Sequence, residues 1–139
     1  MQKFKKIFVV GAGTMGHGIA QVFATGGYDV SLYSRTQSTL DRAQTLTKVS
    51  LETMVEAGLI KKSDIEPIMS RIHPTTSMEE GAKDADLAIE TVVETKDAKI
   101  EIFKQLDTIC PAKTLIVSNS TFLNVFDFIQ TSRPDKILV

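Results

Sequence analysis

Three glycines, Gly11, Gly13 and Gly16, stand at G-x-G-x-x-G spacing within IFVVGAGTMGHGIA, residues 7–20. The apolar residues before them, Ile7–Val10, read as a buried strand, and Ile19, Val22 and Phe23 after them follow helical spacing. In a strand–turn–helix unit each glycine has a separate task. Gly11 permits the tight turn, Gly13 lets the backbone approach a pyrophosphate with no Cβ in the way, and Gly16 lets the helix lie close on the strand. The helix start then offers unpaired N–H groups, those of Thr14 and Met15 among them, and the positive end of its dipole to phosphate oxygens. The chemistry implied is dinucleotide binding. A tight strand-to-helix turn with no ligand would use the same residue types.

Other reactive side chains lie further along. Ser118-Asn119-Ser120-Thr121 is a hydroxyl-rich stretch after an apolar run. Glu90 interrupts, and Glu94 closes, the apolar segment DLAIETVV at Asp86–Val93. His17 would tempt as a base, but its place beside the phosphate turn favours a solvated or supporting histidine. His73 reads as the solvated end of a short strand. Cys110 continues an apolar helix face, which favours an inert buried thiol over a nucleophile, and a single cysteine excludes an internal disulfide. No metal site is expected.

The elements that must position these residues alternate along the chain. A helix is predicted at Thr14–Thr25, with Met15, Gly18, Ile19, Val22 and Gly26 on its apolar face and Gly26-Gly27 as its stop. Asp29–Tyr33 reads as a second strand, and Gln37–Ala57 as a long helix carrying Leu40, Ala43, Leu51 and Met54 on one stripe. Lys61–Ser70 is a short helix starting near Ser63 or Asp64, followed by a brief strand Arg71–His73 closed by Pro74. Ser77 and its neighbours cap a short segment, Met78–Lys83. Asp86–Val93 is the fourth strand. Residues 97–109 form a helix with Ile100, Phe103 and Leu106 on one face, stopped by Pro111. Thr114–Val117 is the fifth strand, Leu123–Ile129 a short helix, and Lys136–Val139 the start of a sixth strand.

Strands alternating with helices imply right-handed crossovers and an α/β fold: a Rossmann-type doubly wound parallel sheet forming one domain over residues 1–139. Ligands of such sheets bind beyond the carboxyl ends of the strands, where strand order reverses. That topology gathers Gly11–Gly16, Thr91–Glu94 and Ser118–Thr121 around one crevice. Composition agrees with an ordinary globular protein: of 139 residues, 42% are hydrophobic and 24% charged. A net charge of −1 argues against a general nucleic-acid or anionic-membrane surface. The opening MQKFKKIFVV imitates a secretion signal, but its apolar run stops too soon at Gly11. A cytoplasmic protein is expected.

GAGTMGHGIA, LYS at the second strand end, RIHPTTS, DLAIETVVET and SNSTFL, in this order, resemble the N-terminal domain of the L-3-hydroxyacyl-CoA dehydrogenases, the 3-hydroxybutyryl-CoA enzymes included. The resemblance covers essentially the whole chain. It implies reversible oxidation of the 3-hydroxyl of an acyl-CoA, with a nicotinamide cofactor accepting the hydride and a histidine paired with a glutamate taking the proton. It further implies that Gly11, Gly13, Met15 and Gly16 hold the pyrophosphate. Glu94 and Lys99 would line the nicotinamide-ribose side, and Ser118 and Asn119 would lie near the nicotinamide. Thr121 falls where the family usually has a serine that hydrogen-bonds the substrate's reacting oxygen; the plainer alternative is that Ser118 and Thr121 only cap the next helix.

Two departures stand out. The family's catalytic histidine, its glutamate partner and the helical C-terminal domain that dimerises would lie beyond Val139, and neither His17 nor His73 matches that histidine. The chain therefore reads as a cofactor domain cut from a larger enzyme, able to bind cofactor without useful turnover. Where the family places an aspartate after the second strand, this chain has Ser34-Arg35, which opens the site to NADP as well as NAD. A stand-alone nucleotide-binding sensor or scaffold, and a related β-hydroxyacid or sugar-acid dehydrogenase, are the rival readings.

Overall fold

The computed structural model describes residues 4–139; Met1–Lys3, where the signal-like lead begins, lie outside them. Strands β1 (Lys6–Val10), β2 (Asp29–Tyr33), β3 (Ile72–Thr75), β4 (Leu87–Glu90), β5 (Leu115–Ser118) and β6 (Ile137–Leu138) form one sheet in the order β3-β2-β1-β4-β5-β6. Every pairing is parallel. Strand order reverses between β1 and β4, where Val10 lies beside Tyr33 on one side and Glu90 on the other. The expected doubly wound topology is therefore the observed one.

Alternation along β1 builds two cores. Ile7 and Val9 face the layer of α1 (Thr14–Thr25), α2 (Gln37–Glu56) and α3 (Ile65–Ser70), packing with Ala20, Leu40 and Leu51. Phe8 and Val10 face the layer of α4 (Met78–Ala82) and α5 (Lys96–Ile109), packing with Met78, Phe103 and Leu106. Burial of each large side chain stabilises the fold by about 1.5–3 kcal/mol. Helix α4 comes so near the sheet that a Cβ at Gly81 would lie 2.2 Å from the Phe8 ring.

Several elements differ from the sequence reading. The buried face of α1 is Gly16, Ala20, Gln21 and Ala24, whereas Met15 and Val22 are 55% and 70% exposed. Small residues at every fourth position bring this helix onto the sheet, and bulkier apolar ones would hold it away. Pro74 lies inside β3, not after it, because β3 is an edge strand paired only with β2 and a missing N–H there breaks no ladder. β4 ends at Glu90, so Thr91–Glu94 leave the sheet. The face of α5 turned inward carries Lys99 with Phe103 and Leu106, while Ile100 is exposed. Lys61–Ser70 divides into a 3-10 turn, Lys62–Asp64, and α3.

Leu123–Ile129 is not an α-helix but one 3-10 turn, Val125–Asp127, bounded by extended backbone at Asn124 and by Phe128 at φ −139°. The connection that carries it is tied back to α5 by Arg133. Its guanidinium meets the Asp107 carboxylate at 3.0 Å and donates to the carbonyls of Asp107 and Pro111, each at 2.7 Å. The last carbonyls of a helix thereby gain a cationic partner.

The amino ends of the central strands are closed by Asp86. Its Oδ2 accepts the N–H groups of Lys5 and Lys6 at 2.9 and 3.0 Å, and its Oδ1 meets Lys113 Nζ at 2.5 Å. The Lys113 bond first, then the two amides, outweigh burial and lower its pKa from 3.8 to about 2. A carboxylate depressed in the folded state stabilises the fold above its unfolded pKa and loses that contribution as pH falls through the folded value. Asp86→Asn is expected to lose about 2 kcal/mol at neutral pH. Urea titrations of both proteins should show this difference intact above about pH 4 and closing toward pH 2.

Candidate functional site: the crevice at the carboxyl ends of the strands

β1 ends in a turn whose shape is set by three close approaches. Gly11 has φ +111°, and its N–H donates to the Tyr33 carbonyl at 3.0 Å. Thr91 Oγ1 lies 3.1 and 2.9 Å from the carbonyl oxygens of Val10 and Gly11, donating its single proton between them. A Cβ at Gly11 would fall 2.7 Å from that hydroxyl, and one at Gly16 would fall 1.7 Å from the Gly11 carbonyl oxygen. Gly13 is different: a Cβ there would meet nothing within 4 Å. Its missing side chain leaves open space outside the protein.

The start of α1 faces that space. Gly13 supplies no side-chain cap, and no acidic residue stands in the first turn. The first intrahelical bond donated into the turn is from His17 N–H to the Gly13 carbonyl at 3.3 Å, so the amides of Thr14, Met15 and Gly16 have no helical acceptor. Thr14 and Met15 are exposed. The His17 ring is hooked onto the same turn, with Nδ1 2.8 Å from the Gly13 carbonyl oxygen. Ser34 and Arg35 follow β2 directly; Ser34 N–H donates to the Thr75 carbonyl at 3.3 Å, and the exposed Arg35 side chain has no polar partner among the described residues.

The opposite wall is built around a buried carboxylate. Glu90, fully buried at the end of β4, accepts from Lys99 Nζ at 3.0 and 2.9 Å, from the Ser118 hydroxyl at 2.6 Å and from Val92 N–H at 2.7 Å. Lys99 also meets Glu94 at 3.2 Å. Glu94 in turn accepts from the Ser120 hydroxyl, from Thr121 N–H at 3.3 Å and from Phe122 N–H at 3.4 Å. The Ser120 hydroxyl foremost, with Lys99 and the Phe122 amide, outweighs burial and lowers the Glu94 pKa from 4.5 to about 2. Asn119 is exposed on this wall, its N–H donating to the Glu90 carbonyl at 2.9 Å.

All three predicted loops meet at one crevice, but their residues divide into exposed and buried sets. Gly13, Thr14, Met15, Arg35, Glu94, Asn119 and Thr121 lie at the surface; Gly16, Lys99 and Ser118 lie beneath it. The Ser118 hydroxyl is committed to Glu90 and to Ser120 N–H, at 2.6 and 3.2 Å. The Ser120 hydroxyl serves Glu94 and accepts Leu123 N–H at 3.3 Å. Ser120 thus braces this turn, and not Ser118 and Thr121 as in the alternative reading. Only the Thr121 hydroxyl of this stretch has no partner among the described residues. Sequence reasoning noted Glu90 only as a break in the strand and Thr91 only as the start of a loop, and assigned neither of them these bonds. The signal for Glu90 was a carboxylate inside an apolar strand with a lysine nine residues on.

His73 lies away from the crevice, 3.9 Å from Asp29 at the amino end of β2. Cys110 is buried, and desolvation raises its pKa to about 11, which fits an inert thiol. Among the described residues no cluster of three metal-ligating side chains is present, and no helix is long and apolar enough to cross a membrane. The contrast between two glycines is testable by thermal denaturation. Gly16→Ala should destabilise by at least about 1–3 kcal/mol, because backbone must move, whereas Gly13→Val should cost no more than about 1 kcal/mol as an unfavourable N-cap.

Comparison with known proteins agrees with this geometry. A 3-hydroxybutyryl-CoA dehydrogenase of Clostridioides difficile is 40% identical over 134 residues, covering 96% of this chain and 47% of its own. A probable 3-hydroxybutyryl-CoA dehydrogenase of Bacillus subtilis is 34% identical over 98% of this chain and 47% of its own. The chain thus spans about half the length of these relatives. Among solved structures, 3-hydroxybutyryl-CoA dehydrogenase from Escherichia coli superposes with a TM-score of 0.91 at 31% identity, over 98% of this chain and 29% of that one. The sequence pattern described as "3-hydroxyacyl-CoA dehydrogenase, NAD binding domain" matches residues 6–139, and the chain belongs to that family.

Proposed function

We propose that this chain holds the cofactor of an oxidoreductase that interconverts L-3-hydroxyacyl-CoA and 3-oxoacyl-CoA by hydride transfer. The observation that carries this reading is the uncapped start of α1 above the open space at Gly13, across the crevice from the free hydroxyl of Thr121. The amides of Thr14, Met15 and Gly16 fit a pyrophosphate, since anions are favoured where a helix dipole and unpaired N–H groups coincide. Asn119 and Glu94 line the nicotinamide side, and Thr121 meets the substrate's reacting oxygen. A bound nicotinamide dinucleotide supplies the hydride acceptor; the protein orients and polarises. A nucleotide sensor has no use for the free hydroxyl, which favours the enzyme.

The finer choice, NAD against NADP, rests on Ser34 and Arg35. An aspartate after β2 would repel a 2′-phosphate by about 4 kcal/mol at ~4 Å and an effective dielectric of 20. Ser34 removes that repulsion, and Arg35 has no competing partner among the described residues and can offer its guanidinium fork to the phosphate. Exposure limits the gain to about 1 kcal/mol. Calorimetric titration should show both NADH and NADPH binding, lost in Gly13→Val by steric exclusion. Arg35→Ala should weaken NADPH about fivefold, and Ser34→Asp should shift preference toward NADH. Tenfold tighter binding of NADH, unchanged by Arg35→Ala, would overturn the tolerance of NADP.

A further inference from the structure

The glycines that let β1 run closely into α1 also leave the turn free to reverse its peptide planes. Glycine visits φ > 0 as readily as φ < 0, and a reversed plane would turn a carbonyl oxygen, not an N–H, toward a bound anion. Two side chains oppose this. Thr91, on the loop after β4, places its hydroxyl 3.1 and 2.9 Å from the Val10 and Gly11 oxygens. The Thr91 N–H already donates to the Val10 oxygen at 2.9 Å, whereas the Gly11 oxygen has no other partner among the described residues. The hydroxyl therefore matters most to the Gly11 carbonyl, which points into the contact with α1, 1.7 Å from where a Cβ of Gly16 would lie. His17, one turn into α1, holds the Gly13 carbonyl twice: its backbone N–H donates at 3.3 Å, and its ring Nδ1 lies at 2.8 Å. A carbonyl oxygen only accepts, so Nδ1 carries the proton and Nε2 of the neutral ring carries the lone pair.

We infer that Thr91 and His17 are positioning residues of the glycine turn: they keep the Gly11 and Gly13 carbonyls tied to the protein, so that the amides at the start of α1 face the open space beside Gly13. The glycines give the turn its room, and these two side chains give it its direction. Thr91 acts from the loop after β4 and His17 from within α1, so the turn is held from both of the elements it touches. The inference rests on the reading of this turn as a pyrophosphate site. A neutral hydrogen bond favours the bonded form by about twofold to tenfold, and affinity falls with the fraction of the turn that is competent to bind.

The test pairs each loss with its rescue. Thr91→Ala and His17→Ala remove the donors; Thr91→Ser keeps the hydroxyl, and His17→Asn places an amide N–H where Nδ1 stands. Calorimetric titration should show NADH, NADPH and ADP-ribose weakened alike, by about twofold to tenfold, in Thr91→Ala and in His17→Ala. Affinity should recover in Thr91→Ser and His17→Asn. An equal loss for the three ligands separates these residues from Arg35, whose replacement touches NADPH alone. Two readouts need no ligand. The carbonyl 13C signals of Gly11 and Gly13 should move in Thr91→Ala and His17→Ala respectively, and return in the rescuing variants. In the unsubstituted protein at about pH 8, where an imidazole is neutral, the 15N spectrum of the His17 ring should place the proton on Nδ1. That reading stands even if a variant does not fold. A proton on Nε2 alone, alanine substitutions that leave all three affinities unchanged, or losses not recovered by Thr91→Ser and His17→Asn overturn the inference. Failure of the unsubstituted protein to bind any of the three ligands would strike the functional reading, and the carbonyl and ring signals would still decide the hold on the turn.

Discussion

The distance between α1 and the end of β1 governs the crevice. A helix can lie on a glycine turn only if nothing projects from it there, and Gly16 has no room for even one carbon beside the Gly11 carbonyl. That contact aims the first-turn amides outward past Gly13, and Thr91 locks the turn to the loop after β4. The small residues Ala20 and Ala24 continue the same approach up the helix. One packing constraint therefore sets the position of the first-turn amides against the end of the sheet.

The opposite wall works by a different physics. Taking Glu90 and Lys99 out of water is costly, and their mutual attraction offsets that cost only when the remaining lone pairs and protons are also satisfied. Here they are: Ser118, Val92 and Glu94 complete the set, and no buried side-chain polar atom lacks a partner among the described residues. An apolar pair of similar volume would serve the core as well. It could not reach from the end of β4 to a solvent-facing loop, and that reach is what the charged groups add.

Much of this was legible in the sequence. The glycine spacing, the apolar runs and the helix stops give the topology, and topology alone gathers the three loops. The errors on the two helices share one cause: hydrophobicity was read as burial. On α1 the bulky Met15 and Val22 face solvent while glycine and alanine face the sheet. On α5 a lysine takes a core position because its charge is paired across a loop, from a residue nine positions earlier. Periodicity within one element carries no trace of such a partner. The turn at Val125 was misread because its form is set by bonds of Ser120 and Asn124 to nearby groups rather than by an apolar stripe.

Satisfied and unpaired polar groups occupy opposite ends of the strands. At the amino ends Asp86 binds two backbone amides and a lysine, and Thr114 donates to the Ala85 carbonyl at 2.7 Å, so the starts of the central strands are closed by satisfied polar groups. At the carboxyl ends the chain instead leaves amides unpaired at α1, an unengaged hydroxyl at Thr121 and an unpartnered guanidinium at Arg35, all among the described residues. None of these three supports the core. Ser34 and Arg35 can therefore be exchanged without disturbing β2, whose Val30 and Leu32 remain buried beneath them. A change at either position leaves the fold's own contacts in place, since the Arg35 side chain has no polar partner among the described residues and Ser34 is held through its backbone N–H.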